Sequence, residues 1–211
     1  MSSVICQLSV SLDGFVAGPN QSHENPIGEG GMRLHEWAFA TDSWRRQHGL
    51  EGGQNSVDAE VADQMMQGVG AYIMGRKMFG GGGGPWDETW RGWWGDDPPY
   101  HTPVFVLTNH PREPLPMEGG TTFMFVTEGI EAALELARAA AGTGDVAIAG
   151  GARTVQQYLG AGLLDELYLH IVPIVLGSGE QLFEGVGNPT FEPVEVVASP
   201  VATHVRYRVS G

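Results

Sequence analysis

The chain has 211 residues, 42% of them hydrophobic, and this length and composition predict one folded domain over residues 1–211 rather than a disordered or fibrous protein. Its 11 Lys and Arg residues against 25 Asp and Glu residues give a formal net charge of −14. A surface this acidic repels phosphate backbones and anionic lipids, so we expect neither nucleic acid nor a membrane as a partner.

The predicted secondary structure alternates strands and helices and ends in strands. Short apolar runs bounded by turn residues indicate the strands, and helical periodicity indicates the helices. In chain order the elements are a strand at 4–10, a short helix near 34–46, a helix over 57–68, strands at 71–74, 103–107 and 122–126, a helix over 130–141, a strand at 146–149, a helix over 152–159, and strands at 164–175, 194–198 and 203–209. We expect Asn55 or Ser56 to cap the second helix and Thr127 to cap the third. This order predicts an α/β fold with antiparallel strands at the C-terminal edge of the sheet.

Two long segments, 18–54 and 80–100, interrupt this pattern. The first is rich in Gly, Pro, Asn and His, and a loop of this length is usually functional or mobile. The second begins with five glycines, which excludes a core strand. Its four tryptophans keep a helical spacing, so a short helix is expected to present one aromatic face to the core or to a subunit partner; they are Trp86, Trp90, Trp93 and Trp94.

Several catalytic and metal-binding patterns are absent from the sequence. There is no G-x-G-x-x-G, no P-loop, no H-E-x-x-H and no G-x-S-x-G. Cys6 is the only cysteine, which excludes a disulfide within the chain and a thiolate metal cluster, and the seven histidines are scattered. We therefore expect no metal. The lack of a secretory pattern and of a long apolar run predicts a cytoplasmic protein.

Two glycine turns at the ends of predicted strands are candidate phosphate-binding sites. Gly150-Gly151 precedes a helix, whose first N–H groups and dipole attract anions, and Arg153 adds a positive charge. Gly75-Arg76-Lys77 places a glycine and two cations at the end of another strand, where open α/β sheets bind ligands. Either turn can also be an ordinary strand-to-helix connection. Two of them in an acidic chain suggest a diphosphate between them.

Asp58 is the candidate catalytic acid. It lies in the middle of the apolar face of the helix predicted over 57–68, whereas Glu60 and Asp63 lie on the opposite side. A carboxylate in an apolar region is unfavourable unless it is paired or functional, and proton donation is one such function. The alternative is that Asp58, in the first turn, caps the helix or interacts with its dipole. Asp13, beside Gly14, is by default a turn residue.

Six segments in chain order resemble the dihydrofolate-reductase-like superfamily, and especially its bacterial branch that resembles the reductase domain of riboflavin biosynthesis. They lie on the expected strands and turns and span nearly the whole chain. The matching segments are Ser11–Ala17, Met74–Phe79, Val106–Asn109, Ala149–Ala152, Asp165–Leu167, and Pro173–Gly179 with Leu182-Phe183.

The resemblance implies a mostly parallel central sheet of about eight strands flanked by helices, an antiparallel C-terminal hairpin and NADPH at the carboxyl ends of the strands. It also implies hydride transfer to a heterocyclic substrate and a homodimer. Position by position, it assigns Gly75, Arg76 and Lys77 to the phosphate side of the cofactor, Thr108, Asn109 and His110 to the 2′-phosphate, Gly150, Gly151, Ala152, Arg153 and Thr154 to the diphosphate, and Val16 and Ala17 to the nicotinamide. Asp58 falls near the helix carboxylate that binds the pterin and assists protonation in folate enzymes, and Asp13 near the same pocket.

Two residues depart from the family pattern. Ala149 stands where riboflavin-pathway reductases have Glu, and Met78 stands where folate reductases have Thr. We therefore interpret the chain as an NADPH-dependent reductase of a pyrimidine- or pteridine-like small molecule. The alternatives are the ribosylaminopyrimidine reductase of the riboflavin pathway, against which Ala149 argues, and a nucleotide- or ligand-binding protein of the same fold without turnover.

Overall fold

The computed structural model describes residues 2–211 as an α/β protein. Its strands are β1 Val4–Ser11, β2 Phe15–Ala17, β3 Val69–Gly75, β4 Pro103–Leu107, β5 Leu115–Pro116, β6 Thr122–Val126, β7 Asp145–Gly150, β8 Glu166–Val172, β9 Glu180–Gln181, β10 Thr190–Ala198 and β11 Thr203–Ser210. Its α-helices are α1 Glu36–Phe39, α2 Asp42–Gln47, α3 Val57–Gln64, α4 Arg76–Phe79, α5 Ile130–Ala141 and α6 Ala152–Gly160, with 3-10 turns at Gly31–Leu34 and Glu118–Gly120. None of the helices within residues 2–211 is long and apolar enough to cross a membrane.

The main sheet has nine strands, in the order β10-β11-β8-β1-β7-β3-β4-β6-β5. Strands β1, β7, β3, β4 and β6 pair in parallel, and β10 and β11 form the antiparallel C-terminal hairpin. The predicted fold class is therefore confirmed, with nine strands where about eight were expected. A separate two-stranded sheet pairs β2 with β9.

Contacts divide the chain into two compact units, and the first contains the stretch up to Cys6 and Gly68–Asp165. Within it, β3 pairs with β7 and β4 in parallel, so the carboxyl ends of these three strands lie at the same edge. Helix α5 packs on β3 and β4, and α6 packs on β7. Fully buried side chains such as Ile73, Val104 and Ile148 fill this core, because strands covered on both faces exclude polar residues.

The second unit contains Gln7–Gln67 and Glu166–Gly211. In it, β11 pairs antiparallel with both β8 and β10. Segment 18–54, which we predicted as a long loop, contributes Leu34 and Trp37 to a buried apolar cluster with Val172 and Ala202. The short helix expected near 34–46 is instead a 3-10 turn followed by α1 and α2.

Several predicted boundaries are wrong for identifiable physical reasons. The helix predicted over 57–68 ends at Gln64. Residues 65–68 form turns instead, and the last of them, Gly68, has a left-handed φ of 77°. The strand at 164–175 is shorter, Glu166–Val172, because Pro173 cannot donate a ladder hydrogen bond. Gly129, whose φ is 95°, occupies the N-cap position of α5 that we predicted for Thr127. The bounds of α5 itself are as predicted.

The tryptophan-rich segment forms no helix, which corrects our expectation of a helical aromatic face. It is irregular between α4 and β4, and its four rings share no common face. Trp90 and Trp93 pack edge-to-face on each other, with ring centroids 4.6 Å apart. Trp86 lies edge-on to Phe79 and Phe125, with ring centroids 5.8 and 4.9 Å away, and Trp94 contacts Tyr100 at 5.2 Å. Packing on the core, which was the simpler interpretation of this spacing, is therefore what the side chains do.

Candidate functional site

The two predicted glycine turns are adjacent in the first unit. Gly75 ends β3 and Gly150 ends β7, and these strands pair in parallel with Met74 opposite Gly150. A Cβ atom added to Gly75 would collide with the hydroxyl of Thr154, in the first turn of α6. The lack of a side chain at Gly75 therefore leaves room for the Thr154 hydroxyl beside the end of β3. The tertiary structure brings together the two segments that the sequence assigned to one diphosphate.

The start of α6 presents backbone N–H groups beside an open space. Gly151 precedes the helix, and no side chain caps it. The N–H groups of Thr154 and Val155 bond to the Gly151 carbonyl, whereas Arg153 is exposed. A Cβ atom added to Gly151 would meet nothing within 4 Å, and its φ of −72° suits any residue. The Gly150–Gly151 peptide bond is cis.

The tryptophan-rich segment holds the Arg76 side chain. The Arg76 guanidinium carbon lies 3.4 Å from the centroid of the Trp86 ring. Its Nε donates to the Gly82 carbonyl at 2.8 Å, and its Nη1 donates to the Thr108 hydroxyl at 3.3 Å. Burial, followed by the charge of Arg112, lowers the pKa of Arg76. The orientation of this predicted cofactor residue is thus fixed in part by the tryptophan-rich segment.

Arg112 is a cation that sequence reasoning missed. Its guanidinium lies 5.1 Å from the Trp86 ring, on which Arg76 also stacks. Its Nη2 donates to the carbonyls of Glu88 and Trp90, and its Nε lies 3.2 Å from a carboxylate oxygen of Glu88. Its Nη1 is buried and has no hydrogen-bond partner within residues 2–211. The position of Arg112 just after Thr108–His110 was the only available signal.

The residues predicted at the 2′-phosphate follow β4, next to β3. The Thr108 hydroxyl accepts from the His110 N–H at 3.1 Å as well as from Arg76. The His110 carbonyl accepts from Trp86 Nε1 at 2.8 Å. Asn109 and Lys77 are exposed. The structure therefore clusters Arg76, Thr108 and His110, and Trp86 contacts both Arg76 and His110.

Asp58 is buried in the second unit, as its helical phase predicts. Its side chain is 7% exposed, and its Oδ1 lies 2.9 Å from Nε2 of His204 on β11. Its Oδ2 has a long contact, 3.4 Å, with the hydroxyl of Ser56. Ser56 occupies the N-cap position of α3 and makes no side-chain cap bond. Asp58 is thus a paired buried carboxylate rather than a helix cap.

Two of the scattered histidines form one buried chain with Asp58. Nδ1 of His204 lies 2.8 Å from Nδ1 of His170 on β8, and both rings pack against Trp37 with centroids 4.7 to 4.8 Å apart. Burial, followed by the charges of His204 and His35, lowers the pKa of His170 to about 3. Nε2 of His170 is buried without a partner within residues 2–211. No sequence pattern indicated this chain, because His204 is 146 residues from Asp58.

Asp13 has a well-defined structural role. Its carboxylate accepts from the Ser11 hydroxyl at 2.6 Å and from the N–H groups of Leu176 and Gly177 at 3.1 and 2.7 Å. These bonds, the Ser11 one first, lower the pKa of Asp13. Their stabilising effect is present above the ordinary Asp pKa and is lost as the pH falls through the lowered value. Val16 and Ala17, predicted at the nicotinamide, lie on β2 just after this turn.

Comparison with known families identifies the chain. The model of the RibD C-terminal domain matches residues 2–205, nearly the full length. The chain belongs to this family. The resemblance inferred from the six sequence segments is therefore confirmed. No curated protein matches the sequence.

Solved structures show the same fold over the whole chain. A putative riboflavin biosynthesis protein from Shewanella sp. PV-4 is 23% identical, with a TM-score of 0.62 and 99% of each chain covered. RibD from Acinetobacter baumannii is 17% identical, with a TM-score of 0.58, and the match covers all of this chain but 59% of that one. A dihydrofolate reductase from Enterococcus faecalis, complexed with NADP(H), is 14% identical, with a TM-score of 0.52 and coverage of 99% and 97%.

These matches confirm the dihydrofolate-reductase-like fold. Family membership supports a reductase of the riboflavin-pathway or dihydrofolate-reductase-like type. Sequence identities of 14 to 23% show that the fold is shared, but they do not identify the substrate.

Proposed function

We propose that the protein is an NADPH-dependent reductase that transfers hydride to a pyrimidine- or pteridine-like small molecule. The observation that carries this proposal is the contact between the two glycine turns, Gly75 against Thr154, beside the uncapped start of α6. Backbone N–H groups at a helix start bind phosphate, and this one adjoins an open space at Gly151. The family match supports a reductase as the type of enzyme.

The residues of the first unit fit a phosphorylated dinucleotide. Gly151 leaves room where a side chain would stand, and Arg112 keeps a buried cationic N–H without a partner among residues 2–211. A phosphate oxygen would satisfy such a group, because an unpaired buried donor is costly. When bound, NADPH supplies the hydride. Gly150 to Thr154 would hold its diphosphate. Thr108 to His110 would hold its 2′-phosphate together with Gly75 to Lys77, whose Arg76 donates to the Thr108 hydroxyl.

The second unit would bind the substrate and donate the proton that its reduction requires. Asp58 is the proposed acid, since its carboxylate accepts a hydrogen bond at one oxygen and keeps a second oxygen with only a long contact. Reduction of a C=N or C=O bond adds a proton as well as a hydride, and a positioned carboxylic acid can donate it. Asp13 is proposed to border the same substrate through the turn that it stabilises.

The riboflavin-pathway reductase is the second candidate, because the family match favours it. Ala149 replaces the Glu of that enzyme and argues against it. We expect the purified protein to bind NADPH and to oxidise it in the presence of one class among dihydrofolate, pteridines, pyrimidines and quinones. Tight NADPH binding with no oxidation by any of them would instead favour a ligand-binding protein of the same fold.

Cofactor selectivity is the first testable consequence. NADPH is expected to bind more tightly than NADH, because Arg76, Thr108 and His110 form a cluster without an acid that would bind a free ribose. Each charge-assisted contact to the 2′-phosphate is worth about 1.5–3 kcal/mol. Titration of both cofactors into the wild-type protein measures the difference, and equal dissociation constants would remove the 2′-phosphate assignment.

Arginine variants separate the two phosphate sites. Arg76→Gln is expected to weaken NADPH about 10- to 100-fold and to leave NADH unchanged. Arg153→Gln, at the start of α6, is the matched control, because a diphosphate contact serves both cofactors equally. If Arg76→Gln weakened NADH as much as NADPH, its guanidinium would not serve the 2′-phosphate.

The oligomeric state is a further prediction. We propose a homodimer, as the resemblance implies, because large apolar side chains remain exposed in the second unit, including Leu12 and Val175 at 63% each. Sedimentation at micromolar concentration should give one species at about twice the chain mass of 22.6 kDa. One species at the chain mass itself would refute the dimer.

A further inference from the structure

We propose that His204 and His170 act as a positioning pair that directs the acid proton of Asp58 to Oδ2, the oxygen that faces no histidine. This inference rests on the proposed role of Asp58 as the proton donor. It concerns two residues that neither the family match nor the sequence pattern assigns. Its basis is the continuous hydrogen-bonded chain Asp58 Oδ1, His204 Nε2, His204 Nδ1 and His170 Nδ1, with distances of 2.9 Å and 2.8 Å.

The proton positions on the two rings follow from the hydrogen bonds. His170 is neutral near pH 7, because burial disfavours its charged form and lowers its pKa. A neutral ring carries one proton, and the contact between the two Nδ1 atoms requires one donor and one acceptor. A proton on Nε2 of His170 would be a buried donor without a partner among residues 2–211, so we place the His170 proton on Nδ1. His204 then accepts at its own Nδ1, and its single proton is on Nε2. That proton points at Oδ1 of Asp58.

The arrangement also decides which Asp58 oxygen can carry a proton. The carbonyl oxygen of a carboxylic acid is a better acceptor than its hydroxyl oxygen, so an N–H of His204 on Oδ1 favours Oδ2 as the oxygen that carries the hydrogen of a protonated Asp58. The contact of Oδ2 with Ser56 is 3.4 Å, too long for a strong hydrogen bond. Oδ2 is therefore the oxygen left to interact with a substrate. If His204 carried its proton on Nδ1, an acid proton would instead lie between Oδ1 and Nε2 and would be withheld from the substrate.

The surroundings hold both rings in place. Trp37 packs on the two imidazoles, and its Nε1 donates to the Ser9 hydroxyl at 2.9 Å, which fixes the indole. The ionisable neighbours of the pair are Asp58 on α3 and His35, whose own pKa is lowered by burial. His170 and His204 are only 2% and 5% exposed, so solvent does not compete for their hydrogen bonds. The tautomers are consequently set by the protein.

The tautomers can be measured on the wild-type protein without any activity. Nitrogen-15 NMR of the imidazoles near pH 7 should show His204 protonated on Nε2 and His170 protonated on Nδ1. His170→Phe removes the Nδ1 donor and should shift His204 away from its single tautomer. A His204 ring with a bare Nε2 in the wild-type protein would overturn the proposal, whether or not the protein is a reductase.

The catalytic consequence is tested with His204→Leu and His204→Gln. The Leu variant loses the donor and should lower kcat about 10- to 100-fold, with NADPH binding unchanged. A loss of this size is typical when a hydrogen-bond partner that orients a functional side chain is removed, as is known for the ligands of metal sites. The Gln variant retains an amide donor and should restore most of the rate. In an Asp58→Asn background, His204→Leu should cause no further loss of kcat, because His204 acts through Asp58.

Thr41→Ala is the control for a loss of stability in the same unit. It removes the side-chain cap of α2 and should lower the melting temperature without changing kcat, since the Thr41 hydroxyl bonds to neither imidazole nor Trp37. If His204→Leu melted earlier but kept the wild-type kcat, the pair would be structural only and the proposal would fail. If the wild-type protein bound NADPH but reduced no substrate, the proposed function would fail, and the tautomers would still be decided by NMR.

Discussion

An Asp58→Asn variant is expected to bind NADPH as the parent does and to reduce its substrate about 10²- to 10⁴-fold more slowly, the usual range for loss of a general acid. The Asn amide oxygen can still accept the bond from Nε2 of His204, so the buried chain should survive in part. The amide cannot donate an acid proton. The limb of the pH–rate profile that depends on a carboxylic acid should therefore disappear in the variant.

A structural role of Asp58 makes a different prediction for the same sample. If Asp58 serves only to pair with His204, the variant should lose about 1–3 kcal/mol of unfolding free energy while the folded protein turns over at the parent rate. Thermal melting and single-turnover rate, measured together on one preparation, separate these outcomes. Unchanged chemistry in a less stable protein would contradict the catalytic assignment.

Asp13→Asn is the matched control for removing a carboxylate. Asp13 accepts from Ser11 and from the Leu176 and Gly177 backbone, so its variant should melt earlier. Its effect on the rate should be small beside that of Asp58→Asn. A loss of turnover at Asp13 equal to that at Asp58 would mean that the acid has been assigned to the wrong residue.

A Gly151→Val variant is expected to lose at least about 10-fold in NADPH affinity while remaining folded. The added Cβ would meet no protein atom within 4 Å, and the backbone has a φ of −72°, so the protein itself has room for the side chain. The side chain would stand where the phosphate must approach the first N–H groups of α6. Fluorescence titration with NADPH and thermal melting are the two measurements.

Gly84→Val provides the comparison for Gly151→Val. Gly84 also has open space around its Cβ position, and it lies in the tryptophan-rich segment rather than in either glycine turn. It should leave NADPH binding unchanged. A Gly151→Val protein that melts and binds NADPH like the parent would show that the turn is structural and that the cofactor binds elsewhere.

Elements with strong local signals could be predicted from the sequence. Strands β4 and β6 and helix α5 have the bounds that the patterns indicated, because apolar runs and an alanine-rich periodic segment leave little alternative. The two glycine turns were also predictable before their contact was known, because a glycine at the end of a strand, followed by cations, is typical of an anion site. Asp58 was placed on a buried face by helical phase alone, and the structure confirms its burial.

Features that depend on side chains far apart in the sequence could not be predicted. The tryptophan spacing suggested a helix, yet Trp86 and Trp94 pack on phenylalanines of strand β6, and the glycines of this segment accommodate the bends. The position of Arg112 beside Trp86 depends on how that irregular segment folds back.

The sequence by itself determined the fold class and the family, and it singled out the two glycine turns that are proposed to bind phosphate, since these depend on local patterns that each segment carries alone. The tertiary structure decided the chemical environment of Asp58. Its partner His204 belongs to the C-terminal hairpin, and His170 to the neighbouring strand, so only strand pairing places the two imidazoles side by side. Hydrogen bonds of this kind depend on register and burial, which no local spacing specifies.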